Sequence, residues 1–375
     1  MSKAEYKRLG DYIREVNVRN RELKVTKLVG LTIDKAFIPS VANVIGTDLS
    51  NYKVIRKEQF ACSLMQVSRD GKMPVAMFEK DEAIMSPAYP MFEVVDKTVL
   101  MPQYLMMWFS RSEFDREASY YAVGGVRGSL TWEDFCNMKL PIPSITRQRE
   151  IVSEYETLTN RIRLNNQMIQ HLEATAQALY RKTFVDNIDK DNLPEGWRMG
   201  TLGEVAYYVD EKMSLSNIDE SAYIATENML KDKKGIINST SKPEEGRGTM
   251  FAIDDVLFSN IRPYFKKIWR ASFNGASSND VLCFRAKNEF NASMLYYTIE
   301  QDVFFDYVMA GSNGVKMPRG DKKWIMNYPV IIPSKKGIKE YEKATTCIHL
   351  QSVCRKQENS KLTELQSLLL AKMGQ

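Results

Sequence analysis

A long heptad pattern in the middle of the chain is the feature that most constrains its fold. From Thr146 to about Phe184, apolar side chains recur at alternating steps of four and three residues, the pattern of a coiled-coil seam. The seam residues are Ile151, Tyr155, Leu158, Ile162, Asn165, Ile169, Leu172, Ala176 and Leu179. Most positions between them are charged or amide side chains, so one narrow face requires a partner helix. At about 1.5 Å per residue, such a helix is roughly 60 Å long, which predicts a rod that holds two parts of the chain apart.

Asn165 is the one polar residue in this seam. A single asparagine at such a position can set the register of two paired helices at some expense in stability. It can also be a partly hydrated defect, and the sequence leaves both interpretations open.

Composition indicates a soluble protein with more than one domain. The chain has 375 residues, of which 44% are hydrophobic, and this suffices for two or three domains with cores of their own. It has no long uninterrupted apolar run and no apolar signal-peptide segment at its N-terminus, so we expect a cytoplasmic protein. The cysteines are odd in number and form no CxxC pair, which favours free, mostly buried thiols; they are Cys62, Cys136, Cys283, Cys347 and Cys354.

The second half of the chain repeats the order of motifs of the first. The motif LGDYI at Leu9 returns as LGEVA at Leu202, and one constant shift sets Asn137 on Asn327. The same shift carries the central helix onto a C-terminal helix at about 337–373. The repeat therefore predicts the order domain, helix, domain, helix.

From this order we expect an α+β protein in which two long antiparallel helices form a coiled coil that separates two similar mixed α/β domains, with a pseudo-two-fold internal repeat. The expected boundaries are 1–143 for the first domain, 144–186 for the central helix, 187–196 for a linker, 197–334 for the second domain and 335–375 for the C-terminal helix. The apolar residues predicted along the second helix are Tyr341, Ile348, Leu362, Leu365 and Leu369. Its middle is polar, and we expect Asn165 to face Ser352 and Arg355 there.

Recognised catalytic motifs are missing from the sequence. It has no GxxxxGK[ST] loop, no HExxH and no GxSxG. Its two histidines lie on the long helices, where we expect His171 to be solvated or between helices. Cys347, His349 and Cys354 could be metal ligands, but they lie within one helix without a second cluster, so we expect no metal site. The sequence favours binding or scaffolding over catalysis.

The positive signal lies in two kinds of loop, one of each in either half. The basic and aromatic loop contains Arg262, Tyr264, Lys266, Lys267 and Arg270 in the second half, with Arg69 and Lys72 in the loosely corresponding part of the first. The glycine loop contains Arg127 in the first half and Lys316 and Arg319 in the second. Such cations neutralise phosphates, and arginine can also bind guanine through two hydrogen bonds. Ordinary surface charge on a hairpin is the alternative, but the repetition favours two equivalent sites on a long polymer such as duplex DNA.

The order of these motifs resembles the specificity subunits of type I restriction–modification systems. The resemblance covers essentially the whole chain and is carried by LPEGWRMGTLGEV (193–205), VLFSNIRPYFKKI (256–268), GSNGVKMPR (311–319), the endings KLPIPS and NYPVIIPS, and the helix RQREIVSEYETLTNRIRLNNQMIQHLEATAQALYRKTF. The first repeat lacks the LPEGW lead-in, and RPYFKK has no close counterpart in the first half, where SRDGKM stands.

This resemblance implies two target-recognition domains, each of which reads one half of a bipartite site in double-stranded DNA. It implies that the helices act as spacer and as platform for two modification subunits, which carry S-adenosylmethionine and methylate adenine. Separate restriction or translocase subunits would use ATP and magnesium, so no cofactor, metal or catalytic residue is expected in this chain. The alternatives from other classes are a protein–protein scaffold that binds no DNA and, more remotely, a nuclease with unrecognised acidic residues.

Overall fold

Short apolar runs separated by turn residues fold into several small, mainly antiparallel sheets. The structure is a computed structural model, and it describes residues 5–40, 46–65, 67–123, 128–186, 188–237, 239–287 and 290–374. Its contacts divide the chain into a first unit, 1–165 with 358–375, and a second unit, 166–357. Each unit combines sheets with helices, which confirms the predicted α+β class.

The described residues of the first unit form ten short strands. They are β1 (Tyr6–Arg8), β2 (Ile13–Glu15), β3 (Val29–Leu31), β4 (Phe37–Pro39), β5 (Lys53–Arg56), β6 (Phe60–Cys62), β7 (Val75–Met77), β8 (Glu82–Met85), β9 (Met91–Val94) and β10 (Lys139–Pro141). A four-stranded sheet has the order β2-β9-β6-β7, and the pairs β1-β10, β3-β4 and β5-β8 stand beside it.

Four short helices pack on this sheet, and a fifth, much longer one begins in the same unit. They are α1 (Val67–Asp70), α2 (Pro102–Phe109), α3 (Ser112–Tyr121), α4 (Trp132–Asn137) and α5 (Ile145–Phe184). A break in the helical structure separates α2 from α3, because Arg111 has an extended backbone with φ −75° and ψ 141°. The Arg111 guanidinium is buried 4.1 Å from the centre of the Trp108 ring.

In the second unit, the part of the chain that the structure describes forms twelve strands and the remaining helices. The strands are β11 (Arg198–Thr201), β12 (Ala206–Tyr208), β13 (Lys212–Ser214), β14 (Tyr223–Ile224), β15 (Arg247–Phe251), β16 (Val256–Ser259), β17 (Ile268–Arg270), β18 (Gly275–Ser277), β19 (Val281–Ala286), β20 (Ser312–Asn313), β21 (Arg319–Gly320) and β22 (Pro329–Ile332). The helices are α6 (Leu202–Val205), α7 (Ala292–Glu300), α8 (Asp302–Ala310), α9 (Lys322–Met326) and α10 (Lys335–Lys372), the last of which continues into the first unit.

One four-stranded sheet in each unit has the same topology as its counterpart in the other. The order β12-β19-β16-β17 in the second unit corresponds strand for strand to β2-β9-β6-β7 in the first, and all pairs in both sheets are antiparallel. The pair β11-β22 likewise corresponds to β1-β10. The internal repeat inferred from loose sequence motifs is therefore confirmed at the level of strand order.

The two long helices run antiparallel within each unit. In the first unit, the Gln366 side chain donates to the Thr159 hydroxyl at 2.7 Å. Two residues further along α5, the Arg161 side chain donates to the Glu358 carboxylate at 2.7 Å, and Glu358 lies earlier in α10 than Gln366. In the second unit Lys356 contacts Glu173 at 2.8 Å. Residues later in α5 thus contact residues earlier in α10, so the two helices are antiparallel, as the repeat predicted.

The seam differs from the expectation at two positions. Asn165 donates to Oδ1 of Asn359 at 3.0 Å, so its partner is Asn359 rather than Ser352 or Arg355. Leu365 is 49% exposed and faces away from the seam, where Gln366 takes its place. The half-buried seam positions of α10 are Asn359, Leu362 and Gln366, which follow the heptad spacing of three and four residues. Leu365 lies one position outside this set.

The other predicted seam residues lie on one side of each helix. On α5, Ile169 and Ala176 are buried, and the half-buried residues are Ile151, Tyr155, Leu158, Ile162, Leu172 and Leu179. On α10, Ile348, Leu362 and Leu369 are half-buried. At the helix ends the stripe joins the domain cores, since Val152 and Met373 belong to the first core while Tyr180 and Tyr341 pack on α7 in the second unit.

Candidate nucleic-acid interface

The basic and aromatic loop of the second unit connects β16 to β17 and has an unusual backbone. Pro263 begins a short 3-10 turn that ends at Phe265. The flanking residues Arg262 and Lys266 both adopt left-handed backbone angles, with φ of 54° and 49°. Residues other than glycine rarely adopt this conformation, and where they do it is often at a functional site.

The glycine loop of the second unit is a hairpin made by β20 and β21, and it joins the basic loop directly. The Arg262 amide donates to the Pro318 carbonyl at 2.9 Å, and Ile261 pairs with Arg319 in an isolated antiparallel bridge. The Asn260 side chain donates to the Gly320 carbonyl at 3.2 Å. The structure therefore brings the two predicted loops into one surface, which we call the joined loops (260–267 and 311–320).

Several polar groups on the joined loops have no partner. Nε of Arg262 and Oδ1 of Asn260 are buried without a hydrogen-bond partner among the described residues. Lys316 is exposed and makes no ion pair with any residue that the structure describes. Tyr264 is 47% exposed and packs edge-on against Phe265. The exposed Lys316 ammonium group and the Tyr264 ring therefore offer a cation and an aromatic face to a ligand.

Two other predicted cations form surface ion pairs. Lys266 contacts Asp302 at 2.8 Å, and Lys233 contacts the same carboxylate at 2.9 Å. Hydrogen bonds from these lysines hold the pKa of Asp302 below its ordinary value. Arg319 pairs with Asp280 at 3.1 Å. Such exposed pairs are worth at most about 1 kcal/mol, so a phosphate could exchange for the carboxylate.

The last two cations of the predicted loop are held by the protein itself. Nζ of Lys267 donates to the Thr226 carbonyl at 2.6 Å, and burial lowers the pKa of this lysine. Arg270 contacts Asp254 at 2.9 Å and Ser293 at 2.8 Å. These contacts are structural, and they distinguish Lys267 and Arg270 from Lys316, which makes no ion pair with a described residue.

Sequence reasoning missed a second basic cluster in this unit. Nζ of Lys212 donates to the neutral oxygens of Thr249 and Asn279, at 2.7 Å in both cases. Burial lowers the pKa of Lys212, and the positive charges of Lys322 and Arg247 lower it further. The three cations come from three distant segments that the fold brings together, so no local motif marks them. Asn279 precedes the carboxylate that pairs with Arg319, which connects the cluster to the joined loops.

The corresponding loops of the first unit also meet. The Leu130 amide donates to the Leu64 carbonyl at 2.8 Å, and the Ser68 hydroxyl approaches the Gly128 carbonyl at 3.5 Å. Gly128 has φ +68°, and an added Cβ would collide with the Ser68 hydroxyl. Glycine at this position therefore allows the two loops to approach each other.

The predicted cations of the first unit are less free than those of the second. Arg69 lies on α1 and pairs with the adjacent Asp70 at 2.6 Å, and Lys72 pairs with Asp34 at 3.3 Å. Arg127 lies outside the described residues.

A buried carboxylate holds this first loop in place. Oδ1 of Asp115 accepts from the Met73 amide at 3.0 Å and from Nζ of Lys35 at 2.8 Å. The ammonium group of Lys35 also donates to the Phe109 carbonyl. Burial lowers the pKa of Lys35.

All five cysteines are free, with Cys62, Cys136 and Cys283 buried and Cys347 and Cys354 exposed on α10. Within the described ranges, no group of three or more His, Cys, Asp or Glu side chains could hold a metal ion. In the same ranges, no helix is long and apolar enough to cross a membrane.

The two histidines lie on the long helices. His171 is exposed on α5. His349 lies on α10 with Nε2 3.5 Å from the Asp254 carboxylate in the same unit.

Comparison with known proteins agrees with this arrangement. Residues 67–174 match the model of the family described as type I restriction modification DNA specificity domain. No curated protein sequence matches the chain. The S subunit of a type I restriction–modification system from M. genitalium is 13% identical, with a TM-score of 0.57, and the match covers 100% of this chain and 97% of that one.

Two further solved structures match at full length. The HsdS subunit from Thermoanaerobacter tengcongensis is 18% identical, with 100% and 97% coverage and a TM-score of 0.38. A chain from a structure that describes complex assembly and conformational transition of the type I R-M system is 16% identical, with 100% and 98% coverage and a TM-score of 0.49. Residues 67–174 are thus similar to a type I restriction modification DNA specificity domain, and the chain has the fold of the S subunit from M. genitalium.

Proposed function

We propose that the chain is the DNA-recognition subunit of a type I restriction–modification complex and reads a bipartite site, one half with each unit. The observation that carries this proposal is the hydrogen bond from the Arg262 amide to the Pro318 carbonyl, which unites the two predicted loops. The united surface presents Lys316 without an ion pair among the described residues and leaves a buried Arg262 nitrogen without a partner. DNA phosphates supply the acceptors that the exposed Lys316 ammonium group lacks.

The chemistry of the surface suits duplex DNA. The guanidinium of Arg262 can bind a guanine edge in the major groove, and Lys316 can neutralise a phosphate. Tyr264 can pack on a sugar or a base. The cluster of Lys212, Arg247 and Lys322 extends the basic surface and would contact the phosphate backbone rather than base edges.

The long helices would serve as spacer and as platform for partner subunits. In the second unit, Cys347, Leu350 and Cys354 lie along an exposed face of α10, beside a shallow hollow of about 870 Å³ lined by that helix. In the first unit Leu365 and Leu368 are exposed on the same helix. Exposed apolar residues in a row favour a protein partner.

In this proposal the partner subunits catalyse the reactions, and the complex acts in the cytoplasm. Two modification subunits would use S-adenosylmethionine to methylate adenine, and restriction or translocase subunits would use ATP and magnesium. This chain would contribute recognition and no catalytic residue.

A salt titration of duplex binding tests the proposal. The full-length chain, purified with co-expressed modification subunits, is titrated with a duplex pool of randomised sequence at several salt concentrations. If the chain recognises DNA, the logarithm of the binding constant falls linearly with the logarithm of salt concentration, by about 0.9 per phosphate contacted. Weak, salt-insensitive association would instead favour a protein–protein scaffold, for which the exposed helix faces would be the binding surface.

A further inference from the structure

We infer that Val315 is a specificity-determining residue, which contacts the 5-methyl group of a thymine in the major groove at the half-site read by the second unit. This inference rests on the proposed function and deepens it. It concerns an aliphatic side chain, whereas Arg262 and Lys316 act through charge and hydrogen bonds.

Val315 stands at the tip of the hairpin formed by β20 and β21. Ser312 pairs with Gly320 and Asn313 pairs with Arg319, and Gly314 makes the turn with φ +94°. The Val315 side chain is fully exposed, and no described residue covers it. Met317, two residues further on, is 49% exposed. Isolated apolar residues on a surface are common, so exposure alone does not assign a role.

The neighbours of Val315 indicate a role for its exposed side chain. Lys316 follows it directly, and Arg319 lies in the strand that leaves the tip. Lys316 and Arg319, which both follow the valine, would hold phosphates, while the valine itself has no donor or acceptor for them. A two-stranded ribbon fits the major groove of duplex DNA, where thymine is the one unmodified base that presents a methyl group. Val315 is therefore placed to read that methyl group.

The hairpin is anchored well enough to present its tip in a defined direction. The Pro318 carbonyl accepts from the Arg262 amide at 2.9 Å, so the tip is fixed to the basic loop. At the other side of the hairpin the Ser312 hydroxyl donates to the Met309 carbonyl at 2.8 Å. Gly311 lies against the Trp324 ring, where any Cβ would collide with the indole. A fixed tip is what selective contact with a single methyl group requires.

Uracil substitution tests the inference on the full-length protein with its modification subunits. The preferred duplex is first selected from a randomised pool, and the half-site of the second unit is identified as the one relaxed by Arg262→Ala. Each thymine of both half-sites is then replaced in turn by deoxyuridine, which removes the methyl group and keeps the base pair. We expect wild-type binding to fall about fourfold at one position of that half-site, the factor for one buried methyl-sized group.

The variant Val315→Ser should bind the thymine duplex about as weakly as the wild type binds the uracil duplex, and it should not respond to uracil at that position. Two matched variants of the same hairpin keep the response. Met317→Ser should still distinguish thymine from uracil, and Lys316→Ala should weaken binding to both duplexes equally.

Three results would overturn the inference while leaving the proposed function intact. They are a half-site without thymine, wild-type binding that is unchanged across the uracil series, and uracil sensitivity that survives in Val315→Ser. Failure to select any duplex would overturn the proposed function, and the inference with it.

Discussion

The amide of Arg262 donates to the carbonyl oxygen of Pro318 at 2.9 Å, and this one bond makes a single surface of two loops that are distant in sequence. The first unit has an equivalent connection, in which the Leu130 amide donates to the Leu64 carbonyl at 2.8 Å. The residues around the two joints differ almost completely, whereas the strands that carry them have the same order. Joined loops with different side chains in each unit would suit two domains that read different DNA sequences, as we propose.

Lys316→Ala should weaken binding to the complete site and flatten its salt dependence. Because Lys316 is exposed and makes no ion pair with a described residue, the substitution should leave the free energy of unfolding unchanged. The slope of the logarithm of the binding constant against the logarithm of salt should fall by about 1, the value for one lost phosphate contact. Fluorescence anisotropy with labelled duplex measures both quantities. The matched control is Lys335→Ala, an exposed lysine at the start of α10, and an equal effect of the two variants would contradict a specific role for Lys316.

Asn165→Ala should destabilise the paired helices by about 1–3 kcal/mol, because the buried Asn165 side chain bonds to Asn359. Replacing both asparagines by leucine should be close to neutral or stabilising, at the expense of register. Urea denaturation of the full-length chain measures the differences. Asn160→Ala, on the exposed face of α5, is the control and should change stability by less than about 0.5 kcal/mol. If both alanine variants behave alike, Asn165 is a hydrated defect and sets no register.

Glu300 should make the second unit less stable as pH rises through neutrality. Burial raises the pKa of Glu300 from 4.5 to about 7; the charge of Lys233 and a Tyr296 hydrogen bond oppose the rise, whereas the charges of Glu173 and Asp302 add to it. The folded state therefore holds the proton more tightly than the unfolded state. The stability that this proton contributes is complete below about pH 4.5 and is lost as pH rises through about 7, by up to about 3 kcal/mol.

Glu300→Gln should remove this pH dependence. The relevant quantity is the difference in unfolding free energy between variant and wild type, measured by urea denaturation between pH 5 and pH 8, roughly the interval around the shifted pKa. Glu340→Gln, at an exposed position on α10, provides the control. A difference that stays constant over this interval would show that Glu300 titrates normally in the folded protein.

A heptad inserted into each long helix should lengthen the gap between the two half-sites. Seven residues after Gln167 in α5 and seven after Gln357 in α10 keep the seam in phase, because these positions lie at nearly the same level of the antiparallel pair. Seven helical residues add roughly 10 Å, which corresponds to about three base pairs. Selection from duplex pools with variable gaps measures the change. A gap that stays the same would rule out the helices as spacer.

The long helices were readable in the sequence because a heptad repeat is a local signal that needs no knowledge of the rest of the fold. Their antiparallel pairing followed from the repeat. The details of the seam did not follow, since Gln366 rather than Leu365 occupies it and Asn359 rather than Ser352 faces Asn165. A polar segment contains no apolar stripe from which the exact phase can be determined.

The candidate surface was predictable only in part. Arg262 and Lys316 were identifiable because they lie in basic or glycine-rich loops of an internal repeat. The approach of Lys212 to Arg247 and Lys322 was not, because it depends on strand pairing between segments that are far apart in sequence. Nor did the sequence separate Lys316, which is free of ion pairs among the described residues, from Lys267, whose ammonium group bonds to the Thr226 carbonyl.

Methylation mapping tests the central claim most directly. DNA is isolated from cells that express the modification subunits with the wild-type chain, with Arg262→Ala or with Lys316→Ala, and methylated adenines are located by sequencing. We predict that the wild type marks a two-part sequence with a fixed gap, and that each variant relaxes or weakens the same half while the other half is retained. Methylation that does not depend on this chain, or loss of both halves together in either variant, would contradict recognition of one half-site by each unit.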